Sequence, residues 1–162
     1  MLKYLYSQVY TIEVPRELSL GIAILGCNVH CPDCHSQHTW DINCQGQGID
    51  LTTDELDRLI ASQPWVSCIL FFGGEWDTPF LEKLLLYCRE NYEYRLALYS
   101  GRNLDFFLKT SIPSAVDFLK VGPYVKERGG LVYPSTNQRL YRLENGKVKE
   151  DMTPLFWRTN IR

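Results

Sequence analysis

The sequence predicts an α/β fold: a partial (β/α) barrel or open sheet of mostly parallel strands, followed by a C-terminal β-hairpin. Three observations carry that expectation. Short apolar runs ending in glycine alternate with stretches of helical period, the pattern of β-α units joined by right-handed crossovers. The 162 residues fall short of the ~250 that a complete eight-unit barrel needs. Near the end of the chain, Asn145-Gly146 divides the alternating stretch Arg139 to Glu150, a two-residue hairpin signal. A single domain over residues 1–162 is expected, since the length and a 45% hydrophobic content suffice for one core.

Taken in order, residues 1–18 alternate weakly up to Pro15 and read as an edge strand or an irregular lead-in. Leu18 to Leu25 is nearly all apolar toward its end, as a strand covered on both faces should be. Thr52-Thr53-Asp54-Glu55 fits a capping box, and Leu56, Leu59 and Ile60 then share one face of a helix over about 53–62. Val66 to Phe72 is a second buried strand ended by Gly73-Gly74. Thr78 as N-cap and Pro79 in the first turn open a second helix, with Leu81, Leu84, Leu85 and Cys88 at helical spacing. Arg95 to Tyr99 is a third strand closing at Ser100-Gly101, Leu104 to Leu108 a short helix, and Val116 to Val121 a fourth strand closing at Gly122-Pro123. Gly122, Pro123, Gly129, Gly130 and Pro134 then defeat regular structure. The segment Gly122 to Arg139 is therefore expected to cross the rim and engage a partner or close the site; the alternative is that Asn137, Gln138 and Arg139 tie it to the hairpin.

A net charge of −2 with no run of five basic residues gives no reason to expect nucleic acid or an anionic membrane as partner. No apolar stretch reaches the ~18 residues of a membrane span, and the first residues lack the apolar block of a signal peptide. A cytoplasmic location is expected. Six cysteines could form disulfides, but a chain this apolar needs no staples, and three of the six crowd into Cys27–Cys34. Metal or cluster binding follows.

The stretch Gly26-Cys27-Asn28-Val29-His30-Cys31-Pro32-Asp33-Cys34-His35 sets three cysteines in a C-x3-C-x2-C pattern directly after an apolar strand. Such close thiolates suit a soft metal or an iron-sulfur cluster. A 4Fe-4S cluster ordinarily takes four cysteines, so three leave one iron open to a non-protein ligand. A Cys3His zinc site using His30, His35 or His38 is the rival, although no second ligand pair is present elsewhere; a reactive thiol is a third reading. Cys68 in a strand and Cys88 on an apolar helix face read as buried thiols, and Cys44 has no evident role. In parallel α/β folds ligands gather at the carboxyl ends of strands. That rule brings the cysteine loop, Gly73-Gly74-Glu75, Ser100-Gly101 and Gly122-Pro123-Tyr124 to one rim. Two glycines after a strand let backbone approach a ligand, and the Glu75 carboxylate can attract an ammonium group; an ordinary strand-to-helix turn has the same composition.

The cysteine spacing resembles that of the radical S-adenosylmethionine (SAM) superfamily, and Gly73-Gly74-Glu75 matches the motif by which its members hold the methionyl amine. Cys31-Pro32-Asp33-Cys34-His35-Ser36-Gln37-His38-Thr39-Trp40 is similar to the Cys-Pro-Gly-Cys-(Tyr/His)-Asn-x-x-Thr-Trp segment of anaerobic ribonucleoside-triphosphate reductase activating proteins. Tyr99-Ser100-Gly101, Gly122-Pro123-Tyr124 and Ser135-Thr136-Asn137-Gln138-Arg139 are similar to three further motifs of that family, so the resemblance spans about residues 20–141. It departs at Asp33, at Val14-Pro15-Arg16-Glu17 in place of a Gly-Pro-Gly-x-Arg element, and at Trp76, where proline is usual. The resemblance implies a shortened radical SAM fold and a 4Fe-4S cluster on Cys27, Cys31 and Cys34. It further implies SAM on the fourth iron, held by Gly73, Gly74, Glu75 and Ser100, with Asp33 and His35 near the adenine. The implied activity is reductive SAM cleavage that installs a glycyl radical on an anaerobic ribonucleotide reductase. The implied partners are that reductase and a low-potential electron donor such as flavodoxin or ferredoxin. An activase for another glycyl-radical enzyme, a small radical SAM enzyme acting on a metabolite, and a non-enzymatic zinc or electron-transfer module are the alternatives.

Overall fold

The computed structural model describes residues 1–157. Its centre is a contiguous parallel block made of β2 (Ser19–Ile24), β4 (Cys68–Phe72), β5 (Arg95–Tyr99) and β6 (Phe118–Val121). Antiparallel strands extend it on both sides: β1 (Lys3–Tyr10) and the short β3 (Ile49–Asp50) beyond β2, and the hairpin β7 (Arg139–Glu144) and β8 (Lys147–Asp151) beyond β6. The eight-stranded sheet runs β3-β1-β2-β4-β5-β6-β7-β8 and is mixed, with the parallel pairings confined to its middle. The lead-in is thus a full strand, and only β3 separates it from the edge. Asn145 and Gly146 both adopt positive φ, 52° and 76°, as the hairpin turn requires.

Helices α1 (Thr53–Ser62), α2 (Thr78–Asn91), α3 (Leu104–Phe107) and α4 (Ile112–Ala115) pack on one face of the sheet. The period-2 alternation of the parallel strands decides which residues meet them. Leu20, Ile22 and Ile24, then Ile69 and Phe71, Leu96 and Leu98, Leu119 and Val121 join Leu56, Leu59, Leu81, Leu84 and Leu85 in the main core. Each such fully buried side chain contributes roughly 1.5–3 kcal/mol. Thr52 caps α1 by accepting from the Glu55 amide at 3.1 Å, while the Glu55 carboxylate turns to Arg58 and the Tyr4 hydroxyl instead of closing the box. In α2 the cap is Asp77, not Thr78: its carboxylate accepts from the Phe80 amide at 3.3 Å, and Thr78 is the first helical residue. The 3-10 turn Glu75–Asp77 leads directly into the helix and sets Asp77 one position ahead of the expected cap.

The opposite face carries Gly21, Ala23, Cys68, Leu70, Phe72, Ala97, Tyr99, Phe118 and Lys120, by the same alternation. Part of this face is covered by Val14 from the β1–β2 connection, Leu140 of β7 and Met152, which cluster with Cys68, Leu70, Ala97, Tyr99 and Phe118. Toward the carboxyl ends the small side chain of Ala23 borders a cavity, whereas Gly21 is closely covered by the rings of Tyr10 and Phe72. Among the described residues no helix is long and apolar enough to cross a membrane.

Candidate functional site

The cysteine loop leaves β2 at Gly26 and returns on itself, because Gly26 donates to Thr39 O at 2.8 Å and Cys27 to Trp40 O at 3.2 Å. Gly26 has φ +91°, and a Cβ there would lie 2.7 Å from the Trp76 indole nitrogen. That indole donates to Leu25 O at 3.0 Å, so the tryptophan standing where the resembling family has proline braces the loop's entrance. His30 and Asp33, which immediately precede Cys31 and Cys34, take left-handed φ values of 51° and 59°. Each turns the chain sharply before a sulfur, at a cost of about 1–2 kcal/mol for a residue other than glycine. Aspartate is among the few side chains that tolerate this region, which accounts for Asp33 at a position where the family's Cys-Pro-Gly-Cys has glycine.

Two of the three sulfurs are hydrogen-bonded from the backbone: Ser36 N–H donates to Cys34 Sγ at 3.4 Å and Tyr124 N–H to Cys31 Sγ at 3.3 Å. Amide donors of this kind stabilise thiolates. Cys27 and Cys34 stand between two cavities at the carboxyl ends of the parallel strands. One, about 370 Å³, is walled by Tyr6, Tyr10, Phe72, Tyr99, Glu75 and Lys120; the other, about 610 Å³, by Cys31, His35, Tyr124, Gln138 and the backbone of Gly101 and Gly130.

Gly73 and Gly74 divide their work. Gly74, φ +103°, packs so tightly that a Cβ would come within 3.2 Å of Ile24 and Leu2, whereas Gly73, φ +90°, faces the first cavity with only Glu75 Oε2 nearby, at 3.9 Å. Glu75 is 6% exposed, and its Oε1 accepts from Ser100 Oγ at 2.7 Å. His35 is exposed beside Tyr124, ring centroids 5.5 Å apart, on the second cavity. Asp33 turns outward to Lys126 at 3.7 Å. His30 stacks on Trp40 at 4.4 Å and His38 on Tyr6 at 6.3 Å. Cys44 points its thiol at His38 O, 3.7 Å away. Cys68 and Cys88 are buried, and burial pushes both thiols up to about 12.

Two charged residues that the motifs do not flag enter this site. Lys120 lines both cavities and donates to Ser100 O at 3.4 Å. The exposure it retains is into those cavities; loss of hydration lowers its ammonium to about 8, against the opposing pull of Cys31, Glu75, Cys34 and Glu13. Its signal in the sequence is a lysine at the Phe118 phase of an otherwise apolar strand. Glu13 arrives from the β1–β2 connection, where its carbonyl accepts from the Tyr99 hydroxyl; burial raises its carboxyl and Lys120 opposes that rise. Nothing local in the sequence marks Glu13. The loop from Gly122 onward is held much as the second of its two expected readings has it: Asn137 Nδ2 donates to Pro123 O at 2.9 Å and Gln138 Nε2 to Gly122 O at 3.4 Å. Arg139 pairs instead with Asp151, 3.4 Å away in the hairpin.

Among the described residues no three Cys, His, Asp or Glu side chains converge as ligands of one metal ion do. A tetrahedral zinc needs all its donors within about 2.3 Å of one point. A 4Fe-4S cube takes each thiolate on a different iron, so its ligands stand apart, and amide donors to the sulfurs are a usual part of its surroundings. Three closely spaced thiolates, two of them receiving backbone amides, are a donor set of the kind such a cube takes. A family model for a 4Fe-4S single cluster domain matches residues 19–141. No curated protein and no solved structure gives a significant match. The matched span runs from the first residue of β2 into β7 and takes in all four rim segments, the cysteine loop among them: the chain belongs to the 4Fe-4S single cluster domain family.

Proposed function

We propose that this 4Fe-4S protein is a radical SAM activase, its sheet a shortened radical SAM fold, which installs a glycyl radical on an anaerobic ribonucleoside-triphosphate reductase. The observation that carries the SAM reading is a pair of opposite charges on one cavity wall beside Cys27 and Cys34: the Glu75 carboxylate and the Lys120 ammonium. An α-amino acid group presents the complementary pair, an ammonium and a carboxylate. Glu75, fixed by Ser100, receives the amine; Lys120 faces the carboxylate; Gly73 offers bare backbone between them. Tyr6, Tyr10, Phe72 and Tyr99 give the same cavity aromatic walls, which exclude water and suit a sulfonium or a purine. When bound, the cluster supplies the single electron that opens the sulfonium carbon–sulfur bond.

The motif resemblance over residues 20–141 supports the reductase as target, with a flavodoxin- or ferredoxin-like protein as electron donor. The test is anaerobic reconstitution with iron and sulfide, then SAM and dithionite, reading methionine and 5′-deoxyadenosine by chromatography. Addition of an anaerobic reductase should then give a glycyl radical by electron paramagnetic resonance. A full cluster without SAM cleavage would leave a plain electron-transfer domain. Cleavage without a radical on the reductase would move the target to another glycyl-radical enzyme.

A further inference from the structure

The hydrogen bond from Tyr124 N–H to Cys31 Sγ joins residues 93 positions apart. The other sulfur-directed amide, Ser36 to Cys34, is two positions away and comes with the loop itself. Cys31 is also the most buried cysteine of the three, 8% exposed, so its surroundings are set by protein. What aims the Tyr124 amide is therefore a tertiary question.

That N–H belongs to the peptide plane whose carbonyl is Pro123 O. Asn137 Nδ2 donates to that carbonyl at 2.9 Å, so one rigid amide is gripped by Asn137 at its oxygen end and presented to Cys31 at its nitrogen end. The chain Asn137 Nδ2–H to Pro123 C=O, then Tyr124 N–H to Cys31 Sγ, polarises in one direction, which strengthens the last bond. Gln138 Nε2 takes the preceding carbonyl, Gly122 O, at 3.4 Å. Gly122 itself sits at φ +100°, where a Cβ would be 3.2 Å from Asn137 O and Gln138 Cα, so the turn and its clamp are in direct contact. The clamp is held in turn by Thr136, whose hydroxyl donates to Gly129 O at 2.9 Å and accepts from Gln138 N–H at 3.0 Å.

We infer that Asn137 and Gln138 are positioning residues that hold the Tyr124 amide on the Cys31 sulfur and so raise the reduction potential of the cluster. An N–H dipole aimed at a ligating sulfur stabilises the reduced, more negative cluster more than the oxidised one. This effect requires only the cluster and not SAM, and through it the loop from Gly122 to Gln138 sets how strong a reductant the site demands.

The experiment is an anaerobic redox titration of the reconstituted protein, followed by electron paramagnetic resonance, on wild type, Asn137→Ala, Gln138→Ala and Tyr124→Phe. Asn137→Ala shifts the midpoint potential to more negative values, Gln138→Ala does so less, and Tyr124→Phe, which keeps its N–H, leaves it in place. The coupling of an exchangeable proton to the reduced cluster, read by electron–nuclear double resonance in H2O against D2O, weakens in Asn137→Ala. Asn137→Ser, which retains a shorter donor, replaces the alanine variant where that holds no iron, and shows a smaller shift of the same sign. An iron-replete Asn137 variant with unchanged potential and unchanged proton coupling overturns the inference. A shift in Tyr124→Phe equal to that in Asn137→Ala overturns it too, by showing that the side chain of residue 124 is responsible.

Discussion

Ser100 Oγ donates to Glu75 Oε1 at 2.7 Å, joining the loops that follow β4 and β5 across 25 residues of chain. The bond orients a buried carboxylate toward the cavity beside the cysteines, and no other hydrogen bond to that carboxylate occurs among the described residues. Glu75→Gln should therefore leave iron content intact while weakening SAM binding. A charge-assisted contact contributes about 1.5–3 kcal/mol, so the dissociation constant should rise about tenfold or more. Ser100→Ala should give a smaller rise of the same sign. Equal affinity for SAM in wild type and Glu75→Gln, by anaerobic equilibrium binding, would reduce Gly73-Gly74-Glu75 to a turn.

Cys27→Ala, Cys31→Ala and Cys34→Ala should each abolish cluster assembly, because a cube held by three thiolates has no spare protein thiolate to lose. Cys68→Ala and Cys88→Ala should keep full iron, since both thiols are buried in the core and held protonated. Iron and sulfide analysis with absorbance near ~400 nm decides the matter. Full iron in Cys31→Ala would remove the basis for the ligand set.

Lys120 makes a pH-dependent prediction. Burial lowers its ammonium to about 8, against about 10.4 for an exposed lysine. A base depressed in this way subtracts stability wherever the fold must carry its charge. The penalty is full below about 8 and is relieved between about 8 and 10.4, where the unfolded chain keeps a proton that the folded chain has released. Ligand-free Lys120→Met should thus exceed wild type in stability at pH 7, and the difference should shrink as pH rises through that window. Urea denaturation at pH 7 and pH 10 measures it; a gap that does not close would show the ammonium to be solvated.

Gly26→Ala should destabilise the chain by about 1–3 kcal/mol from backbone strain alone, and more where the indole of Trp76 cannot yield, since the new Cβ would sit 2.7 Å from its nitrogen. Melting temperature should drop by about 2–4 °C per kcal/mol. Trp76→Phe should cost less, about 1 kcal/mol for the bond to Leu25 O. In Trp76→Phe the clash partner loses its nitrogen edge, so Gly26→Ala should cost less in that background than in wild type. Additive losses in the double variant would separate the two residues.

The four central strands, the two longer helices and the hairpin turn were legible because each rests on local rules: apolar runs, a 3.6-residue period, and Asn145-Gly146. So was the cysteine loop, whose chemistry depends on close spacing along one segment. Gly73-Gly74-Glu75 and Ser100 could be placed on a common rim because strand ends in β-α units lie together. Tertiary structure alone decided the rest. The antiparallel flanks depend on which way the chain turns after Tyr10 and after Val121, and no residue pattern within those strands encodes direction. Lys120 looks like a stray charge until strand phase sets it on the cavity face, and Glu13 reaches the same cavity only because the β1–β2 connection folds back over the sheet. Asn137 meets the peptide plane before Tyr124 through a loop whose closure is written in side-chain hydrogen bonds. Spacing along the chain supplied the candidate ligands; packing between segments far apart in sequence supplied their electrostatic surroundings, because charge and dipole act through space.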